Sequence, residues 1–182
     1  MIQFGAVILR RVEHRDMELL RNLMNDPKIA LSVVDFGFPV SSQQQEEWFE
    51  TVLPHENTIR FIIEVGGHAV GSLVVARIDS ENDTGEVGYK ILPEYQGHGY
   101  AADAVRAVLS HLFMDKGFEC ISAYHLAGNI ASTRVLEKAG FIFEGVLRKA
   151  VYRNGIRTDL VSWSINRSLY FKKAGEVSAA SK

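Results

Sequence analysis

Apolar and polar positions along the chain switch between a period of two and a period near 3.6, and the switches mark out the elements. "AVILRRV" (6–12) reads as a strand. "DMELLRNLMND" (16–26) places Leu19, Leu20, Leu23 and Met24 on one helical face, begins on the acidic Asp16 and ends before Pro27. "SQQQEEWFETVL" (42–53) predicts a second helix, capped by Ser41 or Ser42 and closed by Pro54. Three strands follow: "TIRFIIEV", a Gly66-Gly67 turn, "AVGSLVVARI", the polar loop "DSENDTG", and "EVGYKIL", which short turns join into an antiparallel meander.

After residue 92 the order becomes helix, strand, helix, hairpin. A helix from about Tyr100 to Lys116 carries the stripe Ala104, Val105, Val108, Leu109, Leu112 and Phe113 and closes at Gly117. "ECISAYHL" is a strand, and "NIASTRVLEKAG" a helix ended by Gly140. "FIFEGVLRKAVYR" and "IRTDLVSWSIN" pair across Asn154-Gly155, the preferred two-residue hairpin turn. The sum is one α/β (α+β) domain over residues 1–170, with a mixed, mostly antiparallel sheet and helices on both faces. From residue 171 the chain is expected to fray, since "KKAGEVSAASK" has too little apolar area to offset its ordering entropy.

Composition adds mainly exclusions. The chain has 182 residues, 47% of them hydrophobic and 23% charged, which suits one sizeable core. No apolar run nears the roughly 20 residues needed to span a bilayer. The start "MIQFGAVILRR" puts its charges after the apolar part, the reverse of a secretory signal, so no membrane partner and a cytoplasmic location are expected. A net charge of −2 without a basic run excludes a nucleic-acid footprint. The single cysteine, Cys120, reads as core, and the six scattered histidines show no paired metal-ligand spacing.

The chemistry concentrates in "LPEYQGHGYAADAVRAVL" (92–109). Gly97 and Gly99 remove two Cβ atoms where strand gives way to helix, so successive N–H groups can face one concavity at a helix N-terminus, an anion cradle. "GHGYAA" satisfies the dinucleotide fingerprint G-x-G-x-x-A, and Glu119 lies where a ribose acid would be sought. Yet several strands precede it, "PEYQ" intervenes, and Glu119 opens the next strand. No Walker Gly-Lys-Ser/Thr is present.

The same residues read Q-x-x-G-x-A, and the chain resembles the GNAT N-acetyltransferases over roughly residues 6–167. "EVGYKILPEYQGHGYAADAV" and "NIASTRVLEKAGFIFEG" resemble the two hallmark stretches of the RimJ/RimL ribosomal-protein N-terminal acetyltransferases in order and spacing. The resemblance implies acetyl-CoA as acetyl donor. Backbone amides of Gln96, Gly97, His98, Gly99, Tyr100 and Ala101 would hold the pyrophosphate, with the His98 side chain either near phosphate or solvated. Main chain at Ile91 and Leu92 would pair with the pantetheine arm, and the strand "ECISAYHL" would splay away to admit it. Asn129 would bond the arm, or simply cap its helix.

Catalysis requires a neutral amine, a stabilised oxyanion and a proton for the departing thiolate. The tyrosine that many GNAT members place seven residues after this asparagine is Leu136 here. Ser132 matches the serine of the RimL-like branch near the sulfur, with a local cap as its plainer role. That branch's glutamate falls on Val151; the resemblance to histone-acetyltransferase-like members, which carry a base on this strand, implies Glu86 as the substitute base, with a solvated strand residue as its plainer role, ahead of Tyr124. An α-amine with a pKa of about 7.7–8.0 is substantially neutral where a lysine amine at about 10.4 is not, so missing carboxylates favour a low-pKa amine.

The acceptor site is expected near residues 26–49 and 147–160. Phe36, Phe38, Trp48 and Tyr152 are candidate lining, and Asp35, Glu46, Glu47 and Asp159 candidate partners of a cation. The partner is thus an amine-bearing substrate: a peptide N-terminus, a polyamine or an amino sugar. Family members are often monomers or homodimers. Two other readings stay open, a catalytically silent acyl-CoA-binding module and a nicotinamide-dinucleotide binder.

Overall fold

Eight strands form one sheet whose order is β1-β2-β3-β4-β5-β6-β8-β7 in a computed structural model that describes residues 1–34, 39–51, 57–153 and 155–180. The strands are β1 (Ile2–Phe4), β2 (Val7–Arg11), β3 (Ile59–Val65), β4 (His68–Asp79), β5 (Thr84–Ile91), β6 (Cys120–Leu126), β7 (Ile142–Arg153) and β8 (Ile156–Asn166). Every pairing is antiparallel except β5 with β6. The helices are α1 (Met17–Asn25), α2 (Pro27–Ala30), α3 (Ser42–Thr51), α4 (Tyr100–Ser110), α5 (Ile130–Ala139) and α6 (Arg167–Ala180).

Strand alternation assigns the two faces. Phe61, Ile63, Leu73, Val75 and Val87 turn toward α4, whose Ala104, Val105, Val108 and Leu109 are fully buried against them. Each such aliphatic side chain removed from water contributes roughly 1.5–3 kcal/mol, so the N-terminus of α4 rests on a rigid base. The alternate residues Ser72, Val74, Ala76, Glu86 and Lys90 face the other way, into a cavity that α1 and α3 cover. Arg106 on α4 donates two hydrogen bonds to the Lys138 carbonyl at the end of α5, fixing one helix to the other.

Several elements differ from the sequence reading. β1 adds an edge strand through a hairpin at Gly5. Asp26 ends α1 and immediately caps α2, its carboxylate accepting from the amides of Lys28 and Ile29. Of the two expected caps of α3 it is Ser41 that serves, reciprocally with Gln44. The long helix runs as α to Ser110 and continues as a π turn over His111–Asp115. α6 runs helically to Ala180 across the stretch expected to fray. Cys120 is half-buried rather than core. Asn154, Pro54, Asp35, Phe36 and Phe38 lie outside the described residues.

Candidate active site

β5 and β6 pair as parallel strands only at Thr84–Cys120, Gly85–Ile121 and Glu86–Ser122. Beyond Glu86 the two strands separate, while β5 continues to Ile91 on β4 and β6 continues to Leu126 on β8. The strand junction expected to open does open. Ladder alternation then fixes which amides face the gap. Leu92 donates its N–H to the Val70 carbonyl at 2.9 Å, so Leu92, Lys90 and Gly88 point their amides at β4, and Tyr89 and Ile91 turn theirs toward the opening. The Leu92 amide is therefore committed to the sheet, and the edge available to a ligand is that of Tyr89 and Ile91. The Ile91 carbonyl accepts from the Gln96 side chain at 2.9 Å, which ties the following loop back to the strand.

That loop runs into α4 at its N-terminus. Gly97 and Gly99 adopt φ of 83° and 87°, in the left-handed region that favours glycine, and a Cβ at either would meet no atom within 4 Å. The Gln96 N–H donates to the Pro93 carbonyl, and the Asp103 N–H to the Gly99 carbonyl. Between them the amides of Gly97, His98, Gly99, Tyr100 and Ala101 have no acceptor among the described residues. Five donors at the positive end of a helix dipole, with open space beside Gly97 and Gly99, fit a pyrophosphate. His98 is exposed and stacks on Tyr100, with ring centroids 5.4 Å apart.

The opened junction leads into a cavity of about 630 Å³. Glu86, Tyr124, Trp48, Arg60 and Lys90 line its α1/α3 side, while Tyr89, Ser132 and Leu136 line its α5 side. Glu86 and Ser132, separate in sequence, thus share one hollow. Arg77 donates to the Glu86 carboxylate at 3.0 Å. Arg60 lies over the Trp48 ring at 5.4 Å. Leu136 is fully buried and carries no polar group to the site. Asn129 serves as the cap of α5, accepting from the Ser132 amide at 3.0 Å and donating to the Ser32 carbonyl at 3.0 Å.

Other expected residues fall elsewhere. Tyr152 is 61% exposed and outside this lining. Glu46 meets His14, Glu47 meets Gln43, and Asp159 accepts from the Lys149 amide. Burial and the charges of Glu144 and Glu119 push the Cys120 thiol up, so it is no ready nucleophile. Among the described residues no three His, Cys, Asp or Glu side chains gather as a metal site, and no helix is long and apolar enough to cross a membrane. Two groups escaped the sequence reading. His125 is buried, donating from Nδ1 to the Leu126 carbonyl and accepting at Nε2 from the Trp163 indole. Tyr89 reaches from β5 to the first turn of α5.

The dinucleotide reading fails on this architecture, because its glycine loop must follow the first strand of a parallel sheet and here follows the fifth of a largely antiparallel one. The family model for an acetyltransferase (GNAT) domain matches residues 6–142. The chain is 28% identical over 160 residues to the SPbeta prophage-derived uncharacterized N-acetyltransferase YokL of Bacillus subtilis, covering 87% of this chain and 89% of that one. It is 27% identical over 158 residues to the spermidine N(1)-acetyltransferase of Escherichia coli, covering 82% and 80%. The crystal structure of spermidine N-acetyltransferase from Vibrio cholerae, in complex with CoA and spermine, superposes with a TM-score of 0.85 at 24% identity, covering 91% of this chain and 98% of that one. With the opened junction, the amide-lined loop and the family match in agreement, the chain belongs to the GNAT acetyltransferases, enzymes that take their acetyl group from acetyl-CoA.

Proposed function

We propose that this enzyme, a cytoplasmic member resembling the RimJ/RimL branch, transfers acetyl directly from acetyl-CoA to a primary amine of low pKa, such as a peptide α-amine. The observation that carries the donor half is the opening between β5 and β6, which runs toward the five amides of 97–101 that have no acceptor among the described residues. Those amides would hold the pyrophosphate, and the Tyr89 and Ile91 main chain would pair with the pantetheine arm. Ser132 lines the cavity from the α5 side, and Asn129 caps the turn that carries it. The bound donor supplies an activated acyl carbon.

The acceptor half rests on the α1/α3 side of the cavity. Glu86 and Tyr124 lie on this same face of the sheet, since Glu86 is register partner to Ser122 and Tyr124 follows two residues on. Glu86 would receive the proton that the attacking amine sheds. Among the described lining residues it is the one carboxylate, against the cations Arg60 and Lys90. A polyamine, with several positive charges, gains little from such a wall, whereas a single α-amine loses little. The names of the E. coli and V. cholerae relatives favour the polyamine as the second reading.

Release of free thiol from acetyl-CoA over a panel of peptides with free N-termini, spermidine and amino sugars tests both. Turnover with peptides above that with spermidine is expected. Preference for spermidine reverses the choice, and no turnover despite tight CoA binding would establish a silent acyl-CoA-binding module.

A further inference from the structure

Tyr89 is a partly buried side chain lining the cavity that the reading above leaves without a task. Its main-chain amide faces the opened junction, and its side chain turns to the α4/α5 face, where the hydroxyl meets the Ser132 carbonyl at 3.5 Å. A good O–H···O bond is about 2.5–3.0 Å long, so this one is at the outer limit. A hydroxyl held so loosely at the wall of the cavity retains most of its capacity to donate. Ser132 and Leu136, one helical turn apart on α5, line the same wall of the cavity. The side-chain position expected to carry a phenol on α5 is the wholly apolar Leu136, and Tyr89, from across the junction, lines the same cavity.

We propose that the Tyr89 hydroxyl is the hydrogen-bond donor to the departing sulfur of acetyl-CoA, a catalytic role supplied from strand β5. The inference rests on the acetyl-transfer reading above. In the step it serves, the amine nitrogen forms a bond to the acyl carbon and the C–S bond breaks with its electron pair moving to sulfur. The negative charge growing on sulfur is met by the Tyr89 O–H. The proton lost from nitrogen, through Glu86 or water, balances the one that sulfur finally takes from solvent, and Tyr89 ends as it began.

The two faces of the sheet divide the labour. Glu86 and Tyr124 attend the incoming amine on the α1/α3 side, and Tyr89 attends the leaving group on the α5 side. Burial pushes the Tyr89 phenol up to about 12, so it keeps its proton throughout the pH range in which an α-amine reacts. The wider family's proton donor sits on the helix; here the donor would be anchored to the strand that also pairs with the arm, so one residue registers both the arm and its sulfur.

Tyr89→Phe keeps the ring and removes only the hydroxyl. Acetyl-CoA affinity, measured by calorimetry, is expected to change less than threefold, and kcat to fall about 10²–10³-fold, as when one preorganised donor is lost from a developing anion. An independent measurement reads the sulfur without turnover: the ultraviolet absorbance of the thiolate of bound CoA, titrated with pH. A hydrogen bond to the charged form favours it, so the bound thiol should ionise about one pH unit lower in the wild type than in the variant. An unchanged kcat overturns the proposal, and so does a reduced kcat with an unchanged thiol titration, which would assign the residue to packing. If the wild type acetylates no amine, the acetyl-transfer reading fails by itself, and the thiol titration still decides whether Tyr89 touches the sulfur.

Discussion

Gly99 offers the sharpest test of the donor loop, because its two effects separate. Its φ of 87° and ψ of −4° lie in the left-handed region, and a Cβ there would touch nothing within 4 Å. Substitution therefore meets no steric obstacle within the protein, only backbone strain. For Gly99→Ala that strain is about 1–2 kcal/mol. A chain of this length then loses roughly 2–8 °C in Tm. Gly99→Asn should lose less, since a short polar side chain tolerates the left-handed region better. Both variants, however, place a Cβ in the open space beside Gly99, within the loop whose amides at 97–101 would hold the pyrophosphate. Displacing a phosphate from one such amide forfeits a charge-assisted hydrogen bond of roughly 1.5–3 kcal/mol. At about 1.4 kcal/mol per decade, the Kd for acetyl-CoA should rise ten- to a hundredfold. Acetylated pantetheine, which has no pyrophosphate, supplies the control: calorimetry should find its affinity unchanged within twofold. If both ligands weaken equally, or if Gly99→Asn binds acetyl-CoA as the wild type does, the loop is not the pyrophosphate site.

Two further outcomes are expected. Asp16 is 3% exposed and takes two hydrogen bonds of 2.7 Å from Arg10, which also holds Glu64; Asp16→Asn should cost about 3 kcal/mol in urea unfolding near neutral pH. Burial alone would raise the Asp16 carboxyl, but the bonds from Arg10 and the Glu13 amide, with the Arg10 charge, outweigh it and hold the group below its ordinary value. The stabilisation is thus complete above the unfolded value of about 3.9 and disappears as pH falls through the lower native one, so the two proteins should converge in acid; a gap that widens there refutes the ion-pair account. At the acceptor side, Glu86→Gln should reduce kcat/KM less than tenfold for a peptide α-amine but a hundredfold or more for a lysine-type amine, which must shed a proton before attack. Equal losses on both acceptors would remove Glu86 from the proton path.

What the sequence disclosed and what it withheld divide along physical lines. Repetitive local patterns were legible: the meander of β3, β4 and β5, the stripe of α4, the caps of α3 and α5, and the glycine loop, each determined by residues within a turn or a strand of one another. β1, three residues long, is too short to show alternation, and α2 is a single turn whose signal lies in one cap and one proline. α6 has no apolar stripe to predict it. The candidate site was legible where it is built of main chain, as in the left-handed turns at Gly97 and Gly99. It was obscure where side chains meet across long separations. Tyr89 and Ser132 are 43 residues apart, Trp163 and His125 38, and Arg10 and Glu64 54. Even the donor edge needed the ladder, since only the Leu92–Val70 bond reveals that Tyr89 and Ile91, and not Leu92, face the opening.

The opening between β5 and β6 also governs the mechanics of the molecule. Three residue pairs are all that join strands β1–β5 to strands β6–β8 within the sheet, so the protein is built as two half-sheets meeting at a short seam. An arm laid along Tyr89 and Ile91 continues that seam in the manner of a missing strand. The acetyl donor would then be a temporary structural member as well as a reagent, closing a sheet that the polypeptide leaves parted and loosening it again on release.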